Sequence, residues 1–248
     1  MRLCKKSMVH KWLQIALSGL LPPTCVLCGA HGDSREFFSA GLCAGCRRDV
    51  PEKTMSCPQC ARVVSTQDIC GRCRKKPPAQ DALWAAFDYR FPLDAVLKAY
   101  KYQQRMPQGR VLRDLFLDAV VQAVAENRLT APDLLAPVPL HPSKLRCRGF
   151  NQSLELARPV ARTLDTALRP RLLIRTRATE SQASLPRESR AKNVRAAFQC
   201  REPVDGKHVV VIDDVVTTGN TVNEIAKELR KAGATRIEIW TLSRKEEG

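Results

Sequence analysis

Eight of the chain's cysteines fall between Cys25 and Cys73, and all eight come as C-x-x-C pairs: Cys25/Cys28, Cys43/Cys46, Cys57/Cys60 and Cys70/Cys73. A C-x-x-C turn points both sulfurs at one tetrahedral ion, and two such turns complete four ligands. Sequential pairing gives C-x2-C-x14-C-x2-C followed by C-x2-C-x9-C-x2-C, the pattern of two tandem zinc ribbons. A cross-braced pairing, or metal in one site only, is the alternative. The pattern constrains the fold because so short a segment has almost no core without metal. A disulfide scaffold is disfavoured, since this is metal-ligand spacing in a reducing compartment. Redox C-x-x-C motifs in four copies, with no thioredoxin-like βαβ context, fit poorly. Gly29, Gly45 and Gly71 suit tight knuckle turns. His31 reads as a loop residue, and Cys4, Cys147 and Cys200 as ordinary thiols.

The 248-residue chain is 44% hydrophobic, enough for a real core, but its formal charge is +16. Such an excess suggests a polyanionic partner, nucleic acid or phosphorylated ligands, against the plain reading of a solvated basic surface. Two Zn²⁺ ions, each with four thiolates, lower the charge to about +12, so the chain stays basic. Around the ribbons Arg47, Arg48, Lys53, Arg62, Arg72, Arg74, Lys75 and Lys76 are candidates for contacting nucleic acid, single-stranded DNA included. Aromatic interleaving is thin there, with Phe37 and Phe38 alone. Trp12, Ile15, Ala16 and Leu20 share one helical face, so residues 1–20 read as an amphipathic helix. That stretch is too short to span a bilayer, nothing longer and apolar follows, and a cytoplasmic protein is expected.

Composition shifts near residue 80. Residues 21–78 read as the double zinc ribbon, ending in the linker Arg74-Lys75-Lys76-Pro77-Pro78, and residues 79–248 as a second domain. There the pattern predicts strands over 83–89, 134–138, 172–174, 209–212 and 236–242. It predicts helices over 92–103, 109–127, 151–164 and 220–232, the last ended by Gly233. Short apolar strands alternating with helices argue for an α/β fold with a parallel sheet.

The most informative stretch is Val209-Val-Val-Ile-Asp213-Asp214-Val-Val-Thr217-Thr218-Gly219-Asn220-Thr221. An apolar strand delivers two carboxylates at its C-terminal edge, and a turn of hydroxyls and one Gly opens a helix. Backbone N–H groups at that helix start can hold a phosphate, with Thr217, Thr218 and Thr221 adding hydroxyl donors. Asp213 and Asp214 can accept hydrogen bonds from ribose hydroxyls or face a hydrated Mg²⁺. The bland reading is a Thr-capped helix preceded by exposed acids. A second stretch, residues 136–153, carries His141, Lys144, Arg146 and Arg148 after a buried strand, as a basic loop suited to diphosphate oxygens.

The acid-Thr-Gly stretch resembles the 5-phosphoribosyl diphosphate (PRPP) signature of type I phosphoribosyltransferases. Residues 136–153, Lys101-Tyr102, and the spaced Gln182, Leu185, Arg187, Arg190, Asn193 and Phe198 resemble motifs of the ComF family. That family joins a double zinc ribbon to a type I phosphoribosyltransferase-like parallel sheet flanked by helices, and is associated with DNA uptake or use of DNA as a nutrient. The resemblance implies that Asp213 and Asp214 bind the ribose hydroxyls, and that Thr217, Thr218, Gly219, Asn220 and Thr221 bind the 5′-phosphate. It implies a Mg²⁺-chelated diphosphate near Lys144, Arg146, Arg148 and Lys101. Residues 175–195 would be a closing lid, with Gln182, Arg187, Arg190 and Asn193 as its contacts. Two functions follow. One is a phosphoribosyltransferase-like protein binding PRPP. The other is a non-catalytic nucleic-acid adaptor, working with DNA-uptake proteins, that keeps the fold.

Overall fold

A computed structural model describes residues 24–32, 37–39, 41–66, 68–103, 106–177 and 196–246. The expected helix over 1–20 and the lid residues Gln182, Arg187, Arg190 and Asn193 lie outside the described residues.

The N-terminal region is small and built on turns. Strands β1 (Phe37–Ser39) and β2 (Leu42–Cys43) pair antiparallel, and α1 (Ala44–Arg48) follows directly. A second turn-rich unit ends in α2 (Gly71–Lys75). Both short helices start on a cysteine, Cys43 and Cys70, so the metal-ligand spacing and the helix starts coincide.

The remainder is an α/β domain. Its strands are β3 (Ala82–Asp88), β4 (Leu134–Pro137), β5 (Ala167–Leu168), β8 (His208–Val216) and β9 (Arg236–Arg244). They pair in the order β3-β9-β8-β4-β5, all parallel. Between them run α3 (Leu93–Gln103), α4 (Met106–Ala125), α5 (Pro142–Arg148), α6 (Gln152–Thr163) and α7 (Asn220–Lys231). Val209, Val210, Val211 and Ile212 are all fully buried, as a parallel strand covered on both faces requires.

Alternation along β8 divides the core in two. Val210 and Ile212 face a cluster with Leu97, Leu112, Phe116, Leu156 and Trp240, under α3, α4 and α6. Val209 and Val211 face the other cluster with Val222, Ile225 and Leu229 of α7. Each fully buried Val, Ile or Leu side chain stabilises the fold by about 1.5–3 kcal/mol. The two ribbons divide likewise: Cys25, Leu42 and Val50 join the first cluster, Ala61 the second. Helix α7 stops where the sequence predicts, with Gly233 at φ +96°, and a Cβ there would collide with Asp205.

Three expectations change. The strand through the acids runs on to Val216, so Asp213 and Asp214 lie within β8 rather than beyond its end. The basic stretch after β4 is helical, with Pro142 at its start and Gly149 (φ +78°) at its end, instead of a loop. The strand expected over 172–174 is β6 (Leu173–Arg175), which leaves the main sheet to pair antiparallel with β7 (Phe198–Cys200).

The chain leaves β4 toward β5 and leaves β8 toward β9, in opposite directions across the sheet. The crevice beyond the C-terminal ends of β4 and β8 is therefore the topological switch point, where open α/β sheets bind ligands. Among the described residues, no helix is long and apolar enough to cross a membrane.

Candidate functional site: an acid pair and a helix-start hollow at the switch point

β8 brings Asp213 and Asp214 to the crevice, each 9% exposed. Asp213 Oδ1 accepts from the Asp214 amide at 2.9 Å and from Ser153 Oγ at 3.2 Å. Asn151 is the residue that caps α6, its Oδ1 accepting from Ser153 N at 3.0 Å, which leaves the Ser153 hydroxyl for the acid. Lys101, near the end of α3, places Nζ 2.7 Å from Asp214 Oδ2. Burial and the adjacent Asp214 carboxylate push the Asp213 carboxyl up to about 7, against the opposing pull of Lys101 and the two hydrogen bonds.

After β8 the chain turns through Thr217, Thr218 and Gly219 into α7. Gly219 is the cap residue at φ +82° and has no side chain to cap the helix itself. Thr218 Oγ1 accepts a long hydrogen bond from Asn220 N at 3.4 Å, so the Thr218 hydroxyl contributes to this helix start, in keeping with the Thr-capped reading. Asp213, Thr217, Thr218, Gly219 and Thr221 line a small hollow of about 30 Å³ at this helix start. The partial positive charge of a 12-residue helix start lies beside it, an arrangement suited to an anion.

The basic helix α5 separates the cations that the sequence grouped. Lys144 and Arg148 are one helical turn apart and share a face, whereas Arg146 is exposed two residues round from each. Burial pushes the Lys144 ammonium down, with Arg175 and Arg148 adding like-charge repulsion. Arg175, on β6, is itself held down by burial and favoured by Asp213. Lys144, Arg148 and Arg175 thus form a positive group on the Asp213 side. The sequence reads Arg175 as the start of the lid, whereas it ends β6. Its stacking 5.3 Å over Phe198 in the β6–β7 pair could not be read from either strand alone. Tyr102 is 69% exposed and lies beneath Arg148, 5.7 Å from its guanidinium carbon. His141 caps α5, its Nδ1 accepting from Ser143 N at 3.3 Å.

The cysteines resolve into two tetrads paired sequentially: Cys25, Cys28, Cys43, Cys46 and Cys57, Cys60, Cys70, Cys73. Sulfurs of Cys28 and Cys43 are 3.9 Å apart, and those of Cys60 and Cys70 are 3.7 Å apart. A tetrahedral ion with Zn–S of about 2.3 Å sets its sulfurs about 3.8 Å apart. Amides point at the sulfurs as knuckle turns require: Cys46 N to Cys43 Sγ and Cys70 N to Cys57 Sγ, both 3.4 Å. Burial raises the Cys25 thiol, but the amides of Cys43, Cys28 and Leu27 outweigh it and bring it to about 6. Burial and neighbouring sulfurs drive Cys46 and Cys73 upward. Four sulfurs this close cannot all be thiolates without a cation between them. The donor sets fit zinc, and these are the zinc sites of a double zinc ribbon.

The ribbon cations part company. Lys53 is nearly buried, with Nζ 2.6 Å from Asp88 and 3.0 Å from Glu246. Arg47 pairs with Glu52 at 3.0 Å and Asp118 at 3.6 Å. Both are spent on joining the ribbons to the α/β domain, against their expectation as nucleic-acid contacts. Arg72, Arg74, Lys75 and Lys76 are exposed along α2 and the linker. Arg72 and Lys76 border a cleft of about 520 Å³ between the second tetrad and the outer side of the Thr218-Gly219 turn.

A double zinc ribbon set on a phosphoribosyltransferase-fold sheet defines the class of this protein. Residues 16–74 match the double zinc ribbon domain, and residues 151–248 the phosphoribosyl transferase domain. The DNA utilization protein YhgH of Salmonella typhimurium is 38% identical over 205 residues, covering 82% of this chain and 90% of that protein. Competence protein F of Haemophilus influenzae is 32% identical over 211 residues, with the same coverage. The chain belongs to the ComF family. Among solved structures, purine phosphoribosyltransferase from Pyrococcus horikoshii is similar at 17% identity and TM-score 0.34, covering 54% of this chain and 83% of that one.

Proposed function

We propose that the crevice binds the ribose 5-phosphate portion of PRPP, with Mg²⁺ on its diphosphate, in a protein that serves the use of DNA taken up by the cell. One observation carries the reading. At the switch point, a helix start opened by Gly219 at φ +82° stands one turn beyond a buried pair of acids carried by the preceding strand. A ligand that is a phosphate at one end and a diol at the other matches that spacing. In this reading Thr217, Thr218, Gly219, Asn220 and Thr221 hold the 5′-phosphate, and Asp213 and Asp214 take the ribose hydroxyls, with Lys101 yielding Asp214 to the ligand. Lys144, Arg148 and Arg175 face the diphosphate, and Arg146 meets it from the rim. Gln182, Arg187, Arg190 and Asn193 close over it. The acids offer the oxygen ligands that Mg²⁺ prefers, directly or through its waters. Displacement at the anomeric carbon would draw its rate from positioning and from cations that stabilise the departing diphosphate.

Calorimetric titration with PRPP and Mg²⁺ tests the reading. Saturable binding is expected for the native chain, with loss in Asp213→Asn/Asp214→Asn. No binding by the native chain removes the assignment.

A second reading, a nucleic-acid adaptor, is favoured by the exposed cations along α2 that border the cleft. Its measure is DNA affinity against salt. Charge-reversal at Arg72 and Lys76 should weaken binding and flatten the salt dependence, whereas charge-reversal at Arg47 should not.

A further inference from the structure

We propose that Arg244 couples the second cysteine tetrad to the phosphate hollow, so that metal held by Cys57, Cys60, Cys70 and Cys73 sets the hollow's affinity for phosphate. The inference rests on the reading of residues 217–221 as a phosphate cradle.

Arg244 ends β9 and is 2% exposed. A guanidinium so far from water has to spend its donors on protein acceptors. Its Nε donates to the Cys60 carbonyl at 2.9 Å. Its Nη1 donates to the carbonyls of Val216 at 3.0 Å and Lys245 at 2.8 Å, and to that of Thr217. Cys60 is a ligand of the second tetrad, Val216 is the last residue of β8, and Thr217 begins the cradle. One planar, rigid fork therefore spans from the metal knuckle to the loop. Around it the knuckle and the cradle's outer wall face each other across the 520 Å³ cleft, which Cys60, Cys73, Thr218, Gly219 and Arg244 all line.

The neighbouring peptides are tethered as well. Leu83 N donates to the Pro58 carbonyl at 2.8 Å, and Gln80 Nε2 to the Gln59 carbonyl at 3.1 Å. The knuckle therefore cannot rearrange without pulling on the sheet. Without metal, a ribbon this small loses its shape. The Cys60 carbonyl then leaves a buried donor, and the guanidinium shifts to regain a partner. Val216 and Thr217 lose the anchor that fixes the first residues of the cradle. The first tetrad offers a contrast, because it packs on the opposite face with Leu42 and Val50.

The test uses the zinc-loaded full chain, ribose 5-phosphate as probe, and amide hydrogen exchange at residues 216–221. Arg244→Met and Cys73→Ser should each weaken ribose 5-phosphate binding about tenfold or more, the worth of a hydrogen bond to a charged group. The double variant should bind no more weakly than the worse single one, because both break the same link. Arg244→Lys, which keeps the charge but lacks the fork, should also lose affinity, and it serves if Arg244→Met does not fold. Val120→Ala, a core truncation on the inner face of α4, controls for general destabilisation and should leave affinity unchanged. Native-like affinity in Cys73→Ser, or losses that multiply in the double variant, overturns the coupling. If the native chain binds no ribose 5-phosphate, the cradle reading fails alone. The coupling then stands or falls on faster exchange at 216–221 in Cys73→Ser and Arg244→Met but not in Val120→Ala.

Discussion

Replacing Lys101 by Met removes the cation held against the acid pair and leaves two neighbouring carboxylates at a buried sheet edge. Lys101 Nζ lies 2.7 Å from Asp214 Oδ2, with the two side chains 18% and 13% exposed. At an effective dielectric of about 20, a pair near 4 Å interacts by roughly 4 kcal/mol, part of which offsets the cost of removing both charges from water. Breaking a fully buried pair costs about 3–5 kcal/mol. The residual exposure here brings the expected loss to about 2–3 kcal/mol at pH 8. The loss depends on pH in a defined direction. Asp213 sits at about 7, above its ordinary 3.8, so the folded state holds an extra proton between those values. Stability therefore falls as pH rises through that window, and removing Lys101 prolongs the fall to higher pH. At pH 5 Asp213 is already protonated, and the loss shrinks to about 1 kcal/mol. Urea melts read by the fluorescence of Trp84 and Trp240, in β3 and β9, measure both values. Adding Asp214→Asn to the variant should return most of the stability at pH 8. Equal losses at pH 5 and pH 8, or no recovery with Asp214→Asn, would refute the electrostatic reasoning.

Gly219→Ala should destabilise the protein by about 1–2 kcal/mol in thermal melts, because φ is +82° there; a Cβ meets open space, so the cost is conformational alone. Metal analysis should find two zinc ions per native chain, one in Cys57→Ser and one in Cys25→Ser, since each tetrad closes on its own cysteines. Glu238 is 3% exposed; burial raises its pKa, but His208, Trp240 and Arg236 outweigh that and hold it below the ordinary range. Its contribution is present above that range and lost as pH falls through the lowered value, so Glu238→Gln should flatten the acid limb of stability against pH.

Much of the site was legible because its signals are local. The four C-x-x-C pairs, the apolar run before Asp213, and Gly219 opening a helix each need only a few adjacent residues to be recognised. What the sequence misplaced depended on distant partners. The acids read as lying past the strand's end, because Asp213 and Asp214 look too polar for a strand interior. β9 pairs beside them through Val216–Arg244, and that pairing keeps the strand going. The basic stretch read as a loop because its cations hide the helix that His141 caps and Gly149 ends. Arg244 carried no signal at all, since its acceptors, Cys60 and Thr217, stand far away in the chain.

The sequence by itself determined the chemistry available: two sets of four thiols, a parallel sheet, and two acids followed by a threonine-glycine turn into a helix. These follow from spacing and periodicity, which are properties of short segments. The tertiary structure decided which thiols share an ion, and that Lys101 guards Asp214. It also decided which cations reach the acids and which only hold the domains together. Those outcomes depend on strand order and on where burial removes water. Coulomb and hydrogen-bond energies are set by distance and solvent exposure, and neither is written in the order of residues along the chain.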